Sequence, residues 1–378
     1  MSLATLALIV AVGLCGPLLA WSDRWRVPVV VGELAAGVVV GQTGLGWIDP
    51  NQPTLVFLAN IGFAMVMFVA GSHVPVRDET LVAGIRPALV RLVAIVAAAA
   101  MLGLVVAWVF RTGHAALYAV LFASSSAAVV MPVVTSLGLS GPVPARLIPQ
   151  VAIADAACIV ALPLVLEPGH AGRAALGALL VIACAAAVFV LLRLADRRGW
   201  LPRWHDKSKD RDFALELRVS LLILLLLAAL AQTVQVSIML AGFCLGLAVA
   251  AVGPPRRLAR QLFGLTEGLF GPVFFVWLGA SLNLRDLGTH PRMIVLGVAL
   301  AGGALAAHAV AALSGLPLSA ALLAAAQLGV PVGAVTVGTQ LGVLAPGEGA
   351  ALLLGALLTV GVSAVAGRRL DAGRHRHA

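Results

Sequence analysis

Val69-Ala70-Gly71-Ser72-His73-Val74-Pro75-Val76-Arg77-Asp78 is the stretch on which the reading of this chain turns. It closes a Phe-rich apolar run. A second stretch, Trp277-Leu278-Gly279-Ala280-Ser281-Leu282-Asn283-Leu284-Arg285-Asp286, closes another. Gly, Arg and Asp fall in register between the two. A match so far apart in the chain suggests two related halves. Whether the halves run the same way or opposite ways depends on which side of a barrier each stretch lies.

That a barrier exists follows from composition. The chain has 378 residues, of which 61% are hydrophobic and 11% charged, with a mean hydropathy of +1.05. A soluble domain carries about 45–50% apolar and about 25% charged residues, so a cytosolic enzyme is excluded. No polar low-complexity run or glycine period is present, which excludes a disordered or collagen-like chain. The solvent of this chain is lipid. Lys and Arg number 25 against 16 Asp and Glu. These charges sit in loops between apolar runs, so they read as membrane topology and no nucleic-acid partner is expected. Cys15, Cys158, Cys184 and Cys244 lie inside apolar runs without metal-site or disulfide spacing. They read as small core residues, and no cofactor is expected.

Thirteen apolar runs can be read, near 2–21, 27–41, 54–74, 88–109, 115–136, 146–166, 174–194, 214–233, 237–252, 262–282, 292–313, 318–341 and 348–366. A membrane helix needs about 20 apolar residues, fewer when broken. The first run has no basic leader and is followed by Arg24 and Arg26, so it reads as an anchor rather than a cleaved signal. Loops after odd-numbered runs hold eighteen Lys and Arg; loops after even-numbered runs hold only Arg111, Arg173, Arg285 and Arg292. The asymmetry places the N-terminus outside and the C-terminus in the cytoplasm. Arg77 is then inside and Arg285 outside, so the two matched stretches point in opposite directions. Residues 1–173 become a first inverted repeat of six spans. Residues 174–213 are a linking span with a charged loop, 214–367 a second inverted repeat, and 368–378 a short basic tail. The expected fold is an all-α polytopic membrane protein of about 13 helices. Inverted repeats mark secondary transporters, whose site lies near the bilayer midplane.

The fifth member of each half should be interrupted where that site forms. The fifth span holds Ser124-Ser125-Ser126 and then Met131-Pro132. The twelfth holds Gln327-Leu328-Gly329-Val330-Pro331-Val332-Gly333. Gly and Pro weaken a helix, and the freed backbone groups need polar partners. Pro132, Gln327, Gly329, Pro331 and Gly333 are therefore the expected break residues.

Nearly all acids lie at span ends; Asp155 and Glu33 do not. Asp155 stands nine residues beyond Arg146, roughly 14 Å deep at 1.5 Å per residue in a core of roughly 30 Å. An intramembrane carboxylate is a functional site by default and can hold a proton or a cation. Ser124, Ser125 and Ser126 are its expected oxygen partners. Glu33, in the short second span, reads as a capping or funnel-lining residue. Asn60 and Gln150 are accessory polar candidates. His308, alone in an apolar helix, reads as a packed, hydrogen-bonded residue.

At these residues the sequence resembles the monovalent cation:proton antiporters, the branch of bacterial sodium/proton antiporters and glutathione-gated potassium efflux proteins. The resemblance is carried by Val27 to Gly37 with its Gly32-Glu33-Leu34, by Gly44-Leu45-Gly46-Trp47-Ile48, by Phe68-Val69-Ala70-Gly71 and by Ala123-Ser124-Ser125-Ser126-Ala127. Leu240 to Gly246 and Phe274 to Leu282 complete it. It implies two inverted repeats, two crossed broken helices beside a carboxylate of the sixth span, a dimerisation panel and a core that moves like an elevator. Asp155 matches that carboxylate. The residue before it in the family is Asp, Asn or Gln, and here it is Ala154. With one titrating carboxylate, exchange of one cation for one proton is expected to be electroneutral. The family often has a Lys or Arg in the eleventh span, near Gly303 here, and a Gly-Glu pair in the twelfth, where this chain has Gly329-Val330.

The resemblance thus implies exchange of Na+ or K+ for protons, with the lipid bilayer as surroundings and a homodimer as assembly. Arg greatly outnumbers Lys, and Ala and Gly are abundant, which points to a GC-rich bacterial genome; the expected location is the plasma membrane. A sodium-coupled organic-solute symporter would need more polar residues at the crossing. A non-transporting relative is the other alternative, kept open by Ala154, Gly303 and Val330. No nucleophile–base pair or paired carboxylates support a membrane enzyme.

Overall fold

The computed structural model describes residues 1–21, 29–72, 74, 76, 79–136, 139, 141–166, 169, 171–200, 214–234, 236–253, 256–282, 285, 288 and 290–374. Among them every regular element is helical. The ends of the two matched stretches (His73, Pro75, Arg77 and Asp78; Asn283, Leu284 and Asp286) lie outside the described residues, as do Arg24, Arg26, Val27, Pro28, 201–213 of the linker and 375–378 of the tail.

The main helices, in chain order, are α1 Leu3–Gly13, α2 Cys15–Ala20, α3 Val29–Val40, α4 Pro53–Ser72, α5 Glu79–Phe110, α6 Ala115–Ala123, α7 Ala127–Ser136, α8 Pro142–Leu166, α9 Ala171–Arg197, α10 Leu215–Thr233, α11 Ile238–Val252, α12 Arg256–Leu265, α13 Gly271–Ser281, α14 Pro291–Ala309, α15 Leu318–Ala324, α16 Gly329–Gln340 and α17 Glu348–Arg374. A π-helical turn, Thr266–Phe270, joins α12 to α13, and a 3-10 turn, Val310–Ser314, follows α14. Each of the thirteen apolar runs coincides with helix. Among the described residues ten helical stretches are long and apolar enough to cross a membrane, and Val29–Val40 and Ile238–Val252 are shorter apolar helices. The remaining run, 115–136, is divided between α6 and α7.

The chain forms two compact units that cut across its sequence halves. One unit comprises Met1–Arg77 and Gly172–Leu282; the other comprises Asp78–Ala171 and Asn283–Ala378.

The first unit is packed backbone to backbone. A Cβ added at Gly37 of α3 would lie 2.3 Å from the Val276 carbonyl oxygen of α13, and one at Gly279 2.2 Å from the Leu34 oxygen of α3. The α4–α11 pair repeats the device. Added Cβ atoms would stand 2.3 Å from the Phe243 oxygen at Gly71, 2.3 Å from the Ala64 oxygen at Gly242 and 2.2 Å from the Phe68 oxygen at Gly246. Lipid offers no hydrophobic drive between helices, so close dispersion contact through small residues supplies the cohesion. Phe63 of α4 stacks on Phe274 of α13 with ring centroids 4.9 Å apart and fills the space beside these contacts.

The second unit holds both interrupted runs. Its apolar cluster gathers Ala127, Val130 and Val134 of α7, Leu147 and Val151 of α8, Leu323 and Ala324 of α15, and Ala326. The strand-like gap between α6 and α7 and the gap between α15 and α16 thus sit against one shared core beside α8.

Candidate functional site

The first break is Ser124-Ser125-Ser126. Ser124 ends α6 with an extended backbone (φ −74°, ψ 147°), and its hydroxyl donates to the Leu121 carbonyl at 2.8 Å. Serine competes with the helix in this way by satisfying a local carbonyl through its side chain. Pro132, expected to break the span, lies inside α7, which runs through it; its side chain is outside the described residues. The interruption is set upstream by the serines and needs no proline.

The second break covers Ala325 to Leu328, between α15 and α16. Gly329 is the first residue of α16. Pro331 and Gly333, expected at the break, fall within that helix instead. Proline is tolerated in a first turn, where its missing N–H has no intrahelical partner to lose. Pro331 therefore lies in the first turn of the second segment, after the break.

Side chains tie the two breaks together. The Ser125 hydroxyl donates to the Ala324 carbonyl at 2.7 Å. Gln327 donates through its side-chain amide to the Leu121 carbonyl, and its backbone N–H donates to the Thr359 hydroxyl of α17 at 3.2 Å. His308 of α14 bonds through Nε2 to the Ser124 carbonyl at 3.1 Å. All these groups are buried. The carbonyls freed at each half-helix end thus find donors, as buried backbone groups must in a medium without water.

Asp155, on α8, meets the first break. It is 3% exposed, and its Oδ2 accepts the backbone N–H of Ala127, the first residue of α7, at 3.0 Å. The positive end of the α7 half-helix thus meets the carboxylate. Ala154 beside it is buried and apolar. The Ser126 side chain is 2% exposed and close in sequence to Ala127. Among the described residues no group of three or more His, Cys, Asp or Glu could hold a resident metal ion. Asp155 offers a carboxylate at a helix N-terminus, while the Ser124 and Ser125 hydroxyls are engaged by the Leu121 and Ala324 carbonyls.

Not every candidate falls here. Glu33 of α3 and Asn60 of α4 belong to the first unit. Glu33 is 4% exposed; Asn60 is half-buried. Gln150 lies one and a half turns before Asp155 on α8, and its Oε1 accepts from Arg91 Nε at 2.8 Å. Arg91 also donates to the Arg146 carbonyl at 2.8 Å.

Sequence reasoning passed over Arg91, an arginine buried in the apolar α5. It also passed over Glu348, which is fully buried at the start of α17. Glu348 accepts from the Tyr118 hydroxyl at 2.6 Å, from His114 at 2.7 Å and from the Ala345 N–H at 2.9 Å. A charged residue inside or at the edge of an apolar run was the available signal for both. The absence of a basic side chain near Gly303 has a steric reason. A Cβ there would come within 2.6 Å of the Phe122 ring at the end of α6.

A family model, that of the transmembrane sodium/hydrogen exchangers, matches residues 7–367. Among curated proteins the chain is 23% identical to a putative Na(+)/H(+) antiporter of Bacillus subtilis, YjbQ, over 78% of this chain and 50% of that protein. The chain thus spans about half the length of that relative. It is also 23% identical to a Na(+)/H(+) antiporter of Enterococcus hirae, over 73% of this chain and 72% of the other. Among solved structures, the sodium proton antiporter MjNhaP1 of Methanocaldococcus jannaschii superposes with a TM-score of 0.67 at 18% identity, covering 96% of this chain and 95% of that one. At that identity the likeness speaks to the fold, an all-helical membrane architecture.

Proposed function

Because the chain belongs to the sodium/hydrogen exchanger family, we propose that it is a secondary active transporter exchanging a monovalent cation, Na+ or K+, for protons. The observation that carries this reading is the Asp155 carboxylate, buried and accepting the first backbone N–H of α7 at 3.0 Å. Relatives named as Na(+)/H(+) antiporters support it.

Asp155 binds either a proton or the cation, so each displaces the other. Either one neutralises the carboxylate, and the neutral site crosses the apolar barrier at far lower cost than the bare anion. The hydroxyls of Ser124, Ser125 and Ser126 add oxygens for the cation, and water completes its shell. One carboxylate serving one cation and one proton makes the exchange electroneutral. In this reading the unit carrying Asp155 is the moving core, and the other mediates a homodimer. The chain crosses a bacterial plasma membrane thirteen times in two inverted repeats, with its N-terminus outside.

Inside-out vesicles with a pH-sensitive dye test the reading. Addition of Na+, K+ or Li+ is expected to release protons in the wild type and to do nothing in Asp155→Asn of equal abundance. A correctly folded wild type that moves no protons with any of these cations overturns it.

A further inference from the structure

His308 is fully buried on α14. A carbonyl oxygen only accepts, so the bond to Ser124 requires the imidazole proton to be on Nε2. The other nitrogen, Nδ1, is buried without a partner among the described residues. Burying an unpartnered nitrogen is unfavourable. An aliphatic side chain would fill this place without that cost, so the imidazole is explained by the bond it makes.

That bond lies at one end of the first break. Ser124 ends α6 and its carbonyl is held by His308. Ala127 begins α7 and its amide is held by Asp155. Only Ser125 and Ser126 separate the two, and Ser125 is itself tied to Ala324. The break is therefore a short bridge held at its two ends by His308 and Asp155.

We propose that His308 is a positioning residue for Asp155: its N–H pins the Ser124 carbonyl and so keeps the Ala127 amide on the carboxylate. The proposal rests on the exchange reading and says what sets the balance between proton and cation at its site. The imidazole acts as a donor, not as a carrier of transported protons. Among the residues whose side chains are described, the other charged or titratable groups on the elements packed against α14 are Arg86 and Arg91 of α5, His114 and Tyr118 at the start of α6, and Glu348, Arg368 and Arg369 of α17. His114 and Tyr118 are tied to Glu348, and Arg91 to Gln150.

The test compares His308→Gln, which keeps an N–H donor but does not titrate, with His308→Leu and His308→Met, which remove it. Losing the donor loosens the Ala127–Asp155 bond, which favours the ionised carboxylate. Half-maximal exchange in the Leu or Met variant, whichever is monodisperse, is expected to move about one pH unit alkaline. The cation KM at fixed pH rises several-fold, with the maximal rate within about threefold. His308→Gln keeps the wild-type midpoint. An unshifted profile in the apolar variant overturns the proposal. So does a shift of equal size in His308→Gln, which would make the titrating imidazole itself the active feature. The same midpoints are read without transport from the infrared carbonyl band of protonated Asp155, assigned against Asp155→Asn. If the wild type shows no exchange, the exchange reading falls and the infrared midpoints still decide the part of His308.

Discussion

Asp155 and Ala127 meet across a helix break: the carboxylate of one accepts the backbone N–H of the other at 3.0 Å. The geometry leaves little tolerance for reach. Asp155→Glu keeps the charge but moves it by about one bond length, and misplacement of about 1 Å is worth roughly 100-fold in rate. The expected outcome is an initial exchange rate lowered by at least about tenfold at unchanged protein abundance. Dye-loaded vesicles at saturating cation check it.

Arg91 and Gln150 form a buried tie between α5 and α8. Arg91→Met leaves Gln150 with both ends of its amide unpartnered, since its Nε2 already lacks a partner among the described residues. The cost is expected to be about 2–4 kcal/mol. Adding Gln150→Leu should recover part of it, with a coupling of about 1–3 kcal/mol. Thermal unfolding of the purified single and double variants measures both.

His114 is bonded to Glu348, and that bond, with the carboxylate's charge, raises the His114 pKa above its ordinary value despite partial burial. A raised folded-state pKa means that folding favours the protonated imidazole. Its stabilisation is full below the unfolded value of about 6.5 and is lost as pH rises through the higher folded value. Because His114 is partly exposed, the effect is expected to be roughly 1 kcal/mol or less. The melting temperature should fall slightly above about pH 6.5, and Glu348→Gln should abolish that slope. Melting curves taken across the range decide it.

Gly303 lies against Phe122, so Gly303→Ala overpacks the end of α6. A loss of about 1–3 kcal/mol is expected, together with slower exchange, because α6 leads directly into the serine break. Phe122→Leu in the same chain should restore stability. Unfolding midpoints and transport rates of the single and double variants test this.

The helices were legible because hydropathy is written along the chain: a run of apolar residues between charged loops is nearly sufficient to specify one. The first break was legible for the same local reason, since three serines can satisfy carbonyls that a helix leaves free. Proline misled twice. Pro331 lies in the first turn of a segment, after the break, and at Pro132 the helix continues through it. That Asp155 would be buried was legible from its place in an apolar run, but its partner was not, because Ala127 lies 28 residues away and contributes only a backbone N–H. The partners of His308 and Glu348 were opaque because their bonds join residues 184 and 234 apart in sequence. The two compact units were equally hidden. Each joins segments from both ends of the chain, and no local pattern announces such a pairing.

The backbone contacts of the first unit bear on how this gene can drift. Gly37, Gly71, Gly242, Gly246 and Gly279 each lie where an added Cβ would come within 2.2–2.3 Å of a carbonyl oxygen. Every amino-acid replacement reachable from a glycine codon by one base change adds that carbon. None of the five can be approached through a milder intermediate. A library of single substitutions scored for survival should therefore show these positions as blank columns, while the exposed apolar residues of the same helices accept most exchanges. Glycine alone lacks that carbon, so the lineage is held at these sites by the set of side chains itself, whatever the codon path.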